Sequence, residues 1–318
     1  MVVSDLHEDL GIPDHLRSTY LEELSGTLAS LAFKWHHGRR TSRDLVDADF
    51  QTIESAMTEG HPAFIANNGR IGFSATDHAA YSPEAGADVR MQWIAVRRTV
   101  AQLSLADGMT EEDLYAGELD PAERERFSLR LEAKGVHPAD YLLMPVHPWQ
   151  WDHKLAVTFA ADIARRDVVH LGTTHDRYRA QQSIRTFFNT DRPERHYVKT
   201  ALAIQNMGFL RGLSPKYMEA TPAINDWVAG VVAADPELAD CGFKVLREVA
   251  ALLVLHVLVV AAGNNHHRCR WFPITDVLVS HLDLPWLPWA RQDRHMVSGD
   301  SFALKVFASQ LNTLKFDK

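Results

Sequence analysis

Cysteine is almost missing: Cys241 and Cys269 are the only two in 318 residues. That count excludes a disulfide framework and a zinc ribbon. Basic residues are outnumbered, 33 Lys and Arg against 41 Asp and Glu, for a formal charge of −8. A partner bound by broad phosphate neutralisation, such as nucleic acid, is excluded, whereas a local cationic pocket for a small anion is not. Long apolar runs are lacking too. The longest, Val249 to Ala262, has 14 residues and is interrupted by His256, short of the roughly 20 that a membrane-spanning helix needs. Met1 to Asp14 carries four acids and no basic n-region, so it does not read as a signal peptide. Nor is there a Gly-rich loop ending in Lys-Ser/Thr, so any nucleotide would be held by other means. The expectation is a soluble cytoplasmic protein with no nucleic-acid and no membrane partner.

Apolar residues make up 46% of the chain, enough for a sizeable core, and the length suggests about two domains. Residues 1–140 read as mainly helical. Leu21, Leu24, Leu28 and Leu31 recur at three- and four-residue steps within Leu16–Trp35 and predict a buried helical stripe. A second helix is expected from Thr41 or Ser42 to Gly60, with Leu45, Ile53 and Met57 inward. Val89–Leu105 and Pro121–Lys134 predict two more, the latter with Asp120 as cap and Gly135 beyond its end. From Tyr141 the pattern turns to strands: Tyr141–Val146, Gln182–Phe188 and His196–Asn206. In the last, Val198, Thr200, Leu202 and Ile204 share one face and Lys199 the other. Helix returns at Thr221-Pro222 and runs to about Ala234. The fold class expected is α+β, an antiparallel β core (141–250) behind a helical region (1–140).

Residues 251–318 differ in composition. Glu does not occur after Glu248, although residues 1–250 hold 16. Lys and Arg outnumber acids 7 to 5 here, against 26 to 36 in residues 1–250.

Three clusters could carry chemistry. The first is Gly60-His61-Pro62 followed by Asn67-Asn68-Gly69-Arg70, where amides, bare backbone and a guanidinium could hold a carboxylate or phosphate; a polar turn would use the same residues. The second is Pro145-Val146-His147-Pro148-Trp149-Gln150, where prolines stiffen a His at a strand end; a core Trp with a loop-capping His would look alike. The third places Ser183, Arg185 and Thr186 on one strand and Lys199 on another, with Arg211 twelve residues on. Two guanidiniums, an ammonium and hydroxyls suit a triphosphate, and a solvated cationic strand face is the competing reading. His266-His267 with Cys269 offers no metal-ligand spacing, so no metal site is assigned there.

Together these clusters resemble the IucA/IucC family of siderophore synthetases that work independently of non-ribosomal peptide synthetases. The matching text is Glu59-Gly-His-Pro through Asn67-Asn-Gly-Arg-Ile-Gly-Phe73, Pro145-Val-His-Pro-Trp-Gln150, Gln182-Ser-Ile-Arg-Thr186 and Val198-Lys-Thr200. It continues with Asn206-Met-Gly-Phe-Leu-Arg-Gly-Leu-Ser-Pro215, Thr221-Pro-Ala-Ile-Asn-Asp-Trp227 and Leu246-Arg-Glu-Val-Ala250. It looks most like the hydroxamate branch, of the desferrioxamine and alcaligin kind, since Phe64-Ile65 and Asn67-Asn68-Gly69 replace the second His-Pro pair and the Lys of many citrate users.

The resemblance implies an ATP- and Mg-dependent ligase that adenylates a carboxylate, releases pyrophosphate and lets an amine or hydroxylamine attack the acyl adenylate. It implies ATP contacts from Ser183, Arg185, Thr186, Lys199 and Arg211. Substrate contacts fall to His61, Asn68 and Arg70, and catalytic parts to His147 and Arg211. It implies a cupped hand of helical thumb, β fingers and helical palm, and a homodimer. Recognisable family text covers about residues 16–250, so the palm, with its Mg ligands, is expected to be largely missing and 251–318 to be non-family sequence. A chain with little or no ligase activity of its own is then expected. The alternatives are a non-catalytic nucleotide- or siderophore-binding remnant and, from the 17 histidines, a metal protein.

Overall fold

At Val89–Leu105 the sequence pattern predicts a helix, but the computed structural model has two strands there, joined by a 3-10 turn at Arg98–Val100. Trp93, Ile94, Ala95 and Val96 are all buried. A strand covered on both faces is a continuous apolar run, which periodicity cannot tell from a buried helix. The structure describes residues 9, 11–37, 40–56, 59–61, 63–207, 209–211, 215–243, 245–254, 257–258, 270–271 and 276–281.

Apart from short 3-10, π and single-turn segments, the helices are α1 (Asp14–His37), α2 (Phe50–Ala56), α3 (Ala75–Tyr81), α4 (Glu111–Glu118), α5 (Pro121–Ala133), α6 (Ala160–Arg165), α7 (Pro215–Ala233) and α8 (Pro236–Asp240). The strands are β1 (Gln92–Arg97), β2 (Ala101–Leu105), β3 (Tyr141–Val146), β4 (Val168–Thr173), β5 (Tyr178–Ala180), β6 (Thr186–Asn189), β7 (Tyr197–Thr200), β8 (Leu202–Asn206), β9 (Phe209–Arg211), β10 (Arg247–Val254), β11 (Val257–Leu258), β12 (Arg270–Trp271) and β13 (Asp276–His281). The fold is α+β, and its sheets are antiparallel.

The chain forms two units, neither of them contiguous. One is Met1–Val89 with Arg179–Ile184 and Leu202–Arg211; the other is Arg90–Tyr178 with Arg185–Ala201 and Gly212–Lys318. In the second, β1 lies between β3 and β4. α5 covers this sheet with Phe127 and Leu131, both buried, and Phe127 meets Trp93 at 5.9 Å between ring centres. A second sheet in this unit runs β2–β10–β13–β7–β6. α7 packs on β10, where Met218 joins Ala251 and Leu253.

Several expected elements shift. Val249–Val254, where the long apolar run begins, lie in β10, and no helix among the described residues is long and apolar enough to cross a membrane. Residues 42–60 hold a 3-10 turn (Ser42–Leu45) and α2 in place of one helix, and Met57 lies outside the described residues. α7 starts at Pro215 and carries Pro222 inside it. The expected strand His196–Asn206 breaks at Ala201, because β7 pairs with β6 and β13 while β8 pairs with β9. The alternation survives the break: Val198, Thr200, Leu202 and Ile204 are all buried.

The largest departure is in α1. Its buried side is Glu23, Thr27, Ser30 and Lys34, whereas Leu28 is 65% exposed and Leu21, Leu24 and Leu31 only partly covered. Polar residues face inward here because the segment they cover is itself polar.

Candidate functional site

That segment is 59–73, the first of the three clusters. Gly60 has φ +75, and Asn67 Nδ2 closes the turn by donating to Glu59 O (2.9 Å) and His61 O (3.3 Å). Asn68 N–H donates to Thr27 Oγ1 (3.2 Å), and Ser30 Oγ donates to Asn68 O (3.4 Å). Gly69 lies flat on α1; a Cβ there would stand 2.5 Å from Glu23 Cα. Ile71 then forms a β-bridge with Gln205 of β8. The segment is thus bound on both sides by backbone and by short side chains.

Arg70 is buried and its fork is occupied. Nη1 and Nη2 donate to Glu84 Oε1 (2.5 Å) and Oε2 (2.9 Å). His78 Nε2 lies 3.0 Å from the same Oε1, and 3.1 Å from Ser30 Oγ. Burial alone would raise the Glu84 pKa, but the His78 hydrogen bond and the Arg70 charge outweigh it and hold the carboxyl far below the usual range.

His61 and His147 share one local device. In each His-Pro-X turn the His Nδ1 accepts the backbone N–H two residues on: Ala63 N at 3.1 Å and Trp149 N at 3.0 Å. With Nδ1 accepting, the neutral ring carries its hydrogen on Nε2. His137-Pro138-Ala139 repeats the arrangement at 3.3 Å, so the turn itself is a structural motif. His61 is partly exposed, edge-on to Phe64. His147 is fully enclosed and packs on Phe187.

The third cluster is divided between the units. In the first, Ser183 lies in a bend ahead of β6, not on a strand. The physical reason is Glu54: its carboxyl takes the Gln182 N–H, which a strand would give to a ladder. In the second unit, Thr186 of β6 stands opposite Lys199 of β7, and Thr200 N–H donates to Arg185 O at 2.8 Å. Thr186 and Lys199 therefore stand side by side on adjacent strands, while Arg185 lies in the turn ahead of β6 with its backbone bonded to Thr200. Lys199 Nζ donates to Glu248 Oε1 at 3.2 Å, and Glu248 N–H donates to Asn225 Oδ1 at 2.8 Å. Asn225 lies in the segment Thr221–Trp227 and Glu248 in Leu246–Ala250, so two further motif segments meet at Lys199. Arg211 pairs through its backbone with Leu202; its side chain is outside the described residues, as are His266, His267 and Cys269.

Glu54, Glu84 and Glu248 are the partners that residue-by-residue reading missed. Only Glu248 had a signal, its place inside a motif. Among the described residues no group of three or more His, Cys, Asp or Glu side chains could hold a metal ion.

The model of the IucA / IucC family matches residues 49–271, which hold all three clusters. The chain belongs to this family. The match runs past Ala250 as far as Trp271. Among curated relatives, putrebactin synthase of Shewanella sp. (strain MR-4) is 47% identical over 251 residues, 79% of this chain and 40% of that protein. Aerobactin synthase of Escherichia coli is 34% identical over 276 residues, 83% of this chain and 47% of that protein. The fold matches the crystal structure of the petrobactin biosynthesis protein AsbB from Bacillus anthracis at a TM-score of 0.72 and 25% identity, over 85% of this chain and 42% of that one. It matches aerobactin synthetase IucC from Klebsiella pneumoniae at 0.72 and 29%, over 88% and 48%. The chain spans less than half the length of each of these family members.

Proposed function

We propose that this chain carries the nucleotide-holding part of an ATP-dependent acid–amine ligase of siderophore synthesis. The observation that supports it best is the register that sets Thr186 against Lys199 with Arg185 alongside. In this reading Arg185 takes phosphate oxygens by its fork, Lys199 acts as a point charge and Thr186 donates a hydroxyl, and Ser183 and Arg211 are proposed as ATP contacts on the family resemblance alone. Glu248 keeps Lys199 extended along the strands until the triphosphate competes for it. The substrate carboxylate attacks the α-phosphorus, and the P–O bond to pyrophosphate breaks. The amine then attacks the acyl carbon and AMP leaves. Cations placed before the reaction stabilise the charge that gathers at phosphorus, and the second step needs mainly proximity.

His61 and Asn68 line the carboxylate side, with Arg70 holding their segment through Glu84. The enclosed His147 is assigned a positioning part, capping the turn next to β3, rather than direct catalysis. Mg belongs to the same family-implied proposal, and no step is routed through it. The hydroxamate branch is supported by the greater identity to putrebactin synthase than to aerobactin synthase. A cytoplasmic location and a homodimer belong to the same proposal.

Calorimetry with ATP tests the reading on the full chain. Arg185→Ala and Lys199→Ala are each expected to weaken binding about tenfold or more, in line with the loss of a charge-assisted hydrogen bond. Unchanged affinity in both variants would refute it. Pyrophosphate release with hydroxylamine trapping of the acyl group then separates a ligase from a protein that only binds the nucleotide.

A further inference from the structure

The sheet β3–β1–β4 has two edges, and side chains from the helices reach both. At β3, the Tyr115 hydroxyl of α4 accepts the Leu143 N–H at 2.8 Å and donates to Leu143 O at 3.1 Å. At β4, Arg126 Nη2 of α5 donates to Thr173 O at 2.7 Å, and Arg130 Nη1 donates to Leu171 O. The two spacings match. Four residues of helix rise about 6 Å and two residues of strand about 7 Å, so one face of α5 meets successive free carbonyls along β4. Gly172 makes the approach possible. Its φ is +82, and a Cβ there would stand 2.6 Å from Arg130 Nη1. The register of β4 against β1 also shifts at this point, between Trp93 and Ile94.

Among the described residues β4 pairs only with β1. An open edge of this kind is a template for a further strand. The strand itself favours one: Val168-Val169-His170-Leu171-Gly172-Thr173 has no Asp, Glu, Lys or Arg and holds three β-branched residues. Arg130 is exposed and Arg126 half-buried, so water and other molecules reach this edge. An incoming strand would offer a neutral N–H to each carbonyl. A guanidinium offers a charge-assisted bond, roughly twice as strong, and it is already in place. We propose that Arg126 and Arg130 close the edge of β4 against strand pairing with a second copy of this chain, the one partner always present at equal concentration. The proposal is independent of the nucleotide reading above.

Sedimentation velocity on the full chain over a wide range of concentration tests it, with infrared spectra of the same samples. Arg126→Met with Arg130→Met keeps most of the side-chain volume and removes both donors. Arg124→Met with Arg177→Met removes as many charges, from ion pairs with Glu112 and Asp191 that leave β4 untouched. With both proteins folded by circular dichroism, the first is expected to gain about twofold or more in average mass over wild type as concentration rises, with an added amide I band of intermolecular strands. The second is expected to keep the wild-type mass at every concentration. Where the Arg126→Met, Arg130→Met protein fails to fold, Arg130→Met alone takes its place. Wild-type mass in the protein lacking the β4 donors would overturn the proposal. So would an equal rise in the Arg124→Met, Arg177→Met protein, or association without the intermolecular strand band.

Discussion

Arg70 and Glu84 form a bidentate pair with side chains 5% and 0% exposed, reinforced by His78. Two such charges out of water contribute little net stability, but each is costly without the other. Glu84→Gln should therefore destabilise the protein by about 3–5 kcal/mol, read from the shift in a denaturant midpoint. Replacing both, Arg70→Met with Glu84→Leu, should cost clearly less than the sum of the single changes. This pair shows what the sequence hides at the scale of a residue. A guanidinium beside Asn67-Asn68-Gly69 is visible as a possible anion site, but its carboxylate stands 14 positions on, beyond α3. Lys199 hides its partner further, 49 positions along the chain in β10. The Thr186–Lys199 pairing was not legible either, because alternation fixes the faces within each strand and not the register between two strands. Sequence distance, not chemistry, decided which contacts could be read.

Among the elements, α1 inverts the usual amphipathic rule. Leu28 and Trp35 are 65% and 70% exposed, while Thr27 and Ser30 are buried and hydrogen-bonded to the Asn68 backbone. Leu28→Lys should change stability by less than about 0.5 kcal/mol, as an exposed substitution does. Thr27→Val should cost about 1–3 kcal/mol, because it leaves the Asn68 N–H buried without an acceptor. Thermal melting of the two variants side by side checks both. The leucine spacing announced the helix correctly and its inner face wrongly, since periodicity reports the apolar side and not what covers it. α5 is the opposite case. Pro121 and Gly135 marked its ends, and the helix runs Pro121–Ala133 as read. Asp120 stands at the N-cap as expected, but its carboxylate caps no backbone N–H and instead accepts from Arg192 with both oxygens and from Arg195 with one. Tertiary charges outbid a local cap.

For the whole molecule, Glu84 and Glu54 bound the stable pH range from opposite sides. The folded pKa of Glu84 is depressed, so its stabilisation is complete above the unfolded value near 4.5 and drains away as pH falls towards the folded value. Glu54 is raised from 4.5 to about 8, so its contribution is fully present below pH 4.5, declines between the two values and is gone above about 8. Stability measured by urea unfolding should therefore slope downward from pH 5 to 8, and Glu54→Gln should flatten that slope. A variant with the wild-type slope would contradict the buried acid.

The three-part make-up of the first unit has a consequence for synthesis. Met1–Val89 is translated before its partner segments, the last of which ends at Arg211. At roughly 5–20 residues per second, the intervening stretch takes on the order of ten seconds to appear. Through that interval the 59–73 segment lacks β8, and Glu54 lacks the amide it holds. This stretch must wait for segments made well after it, so a chaperone that shields α1 and α2 during translation should raise the yield of folded protein more than one added afterwards.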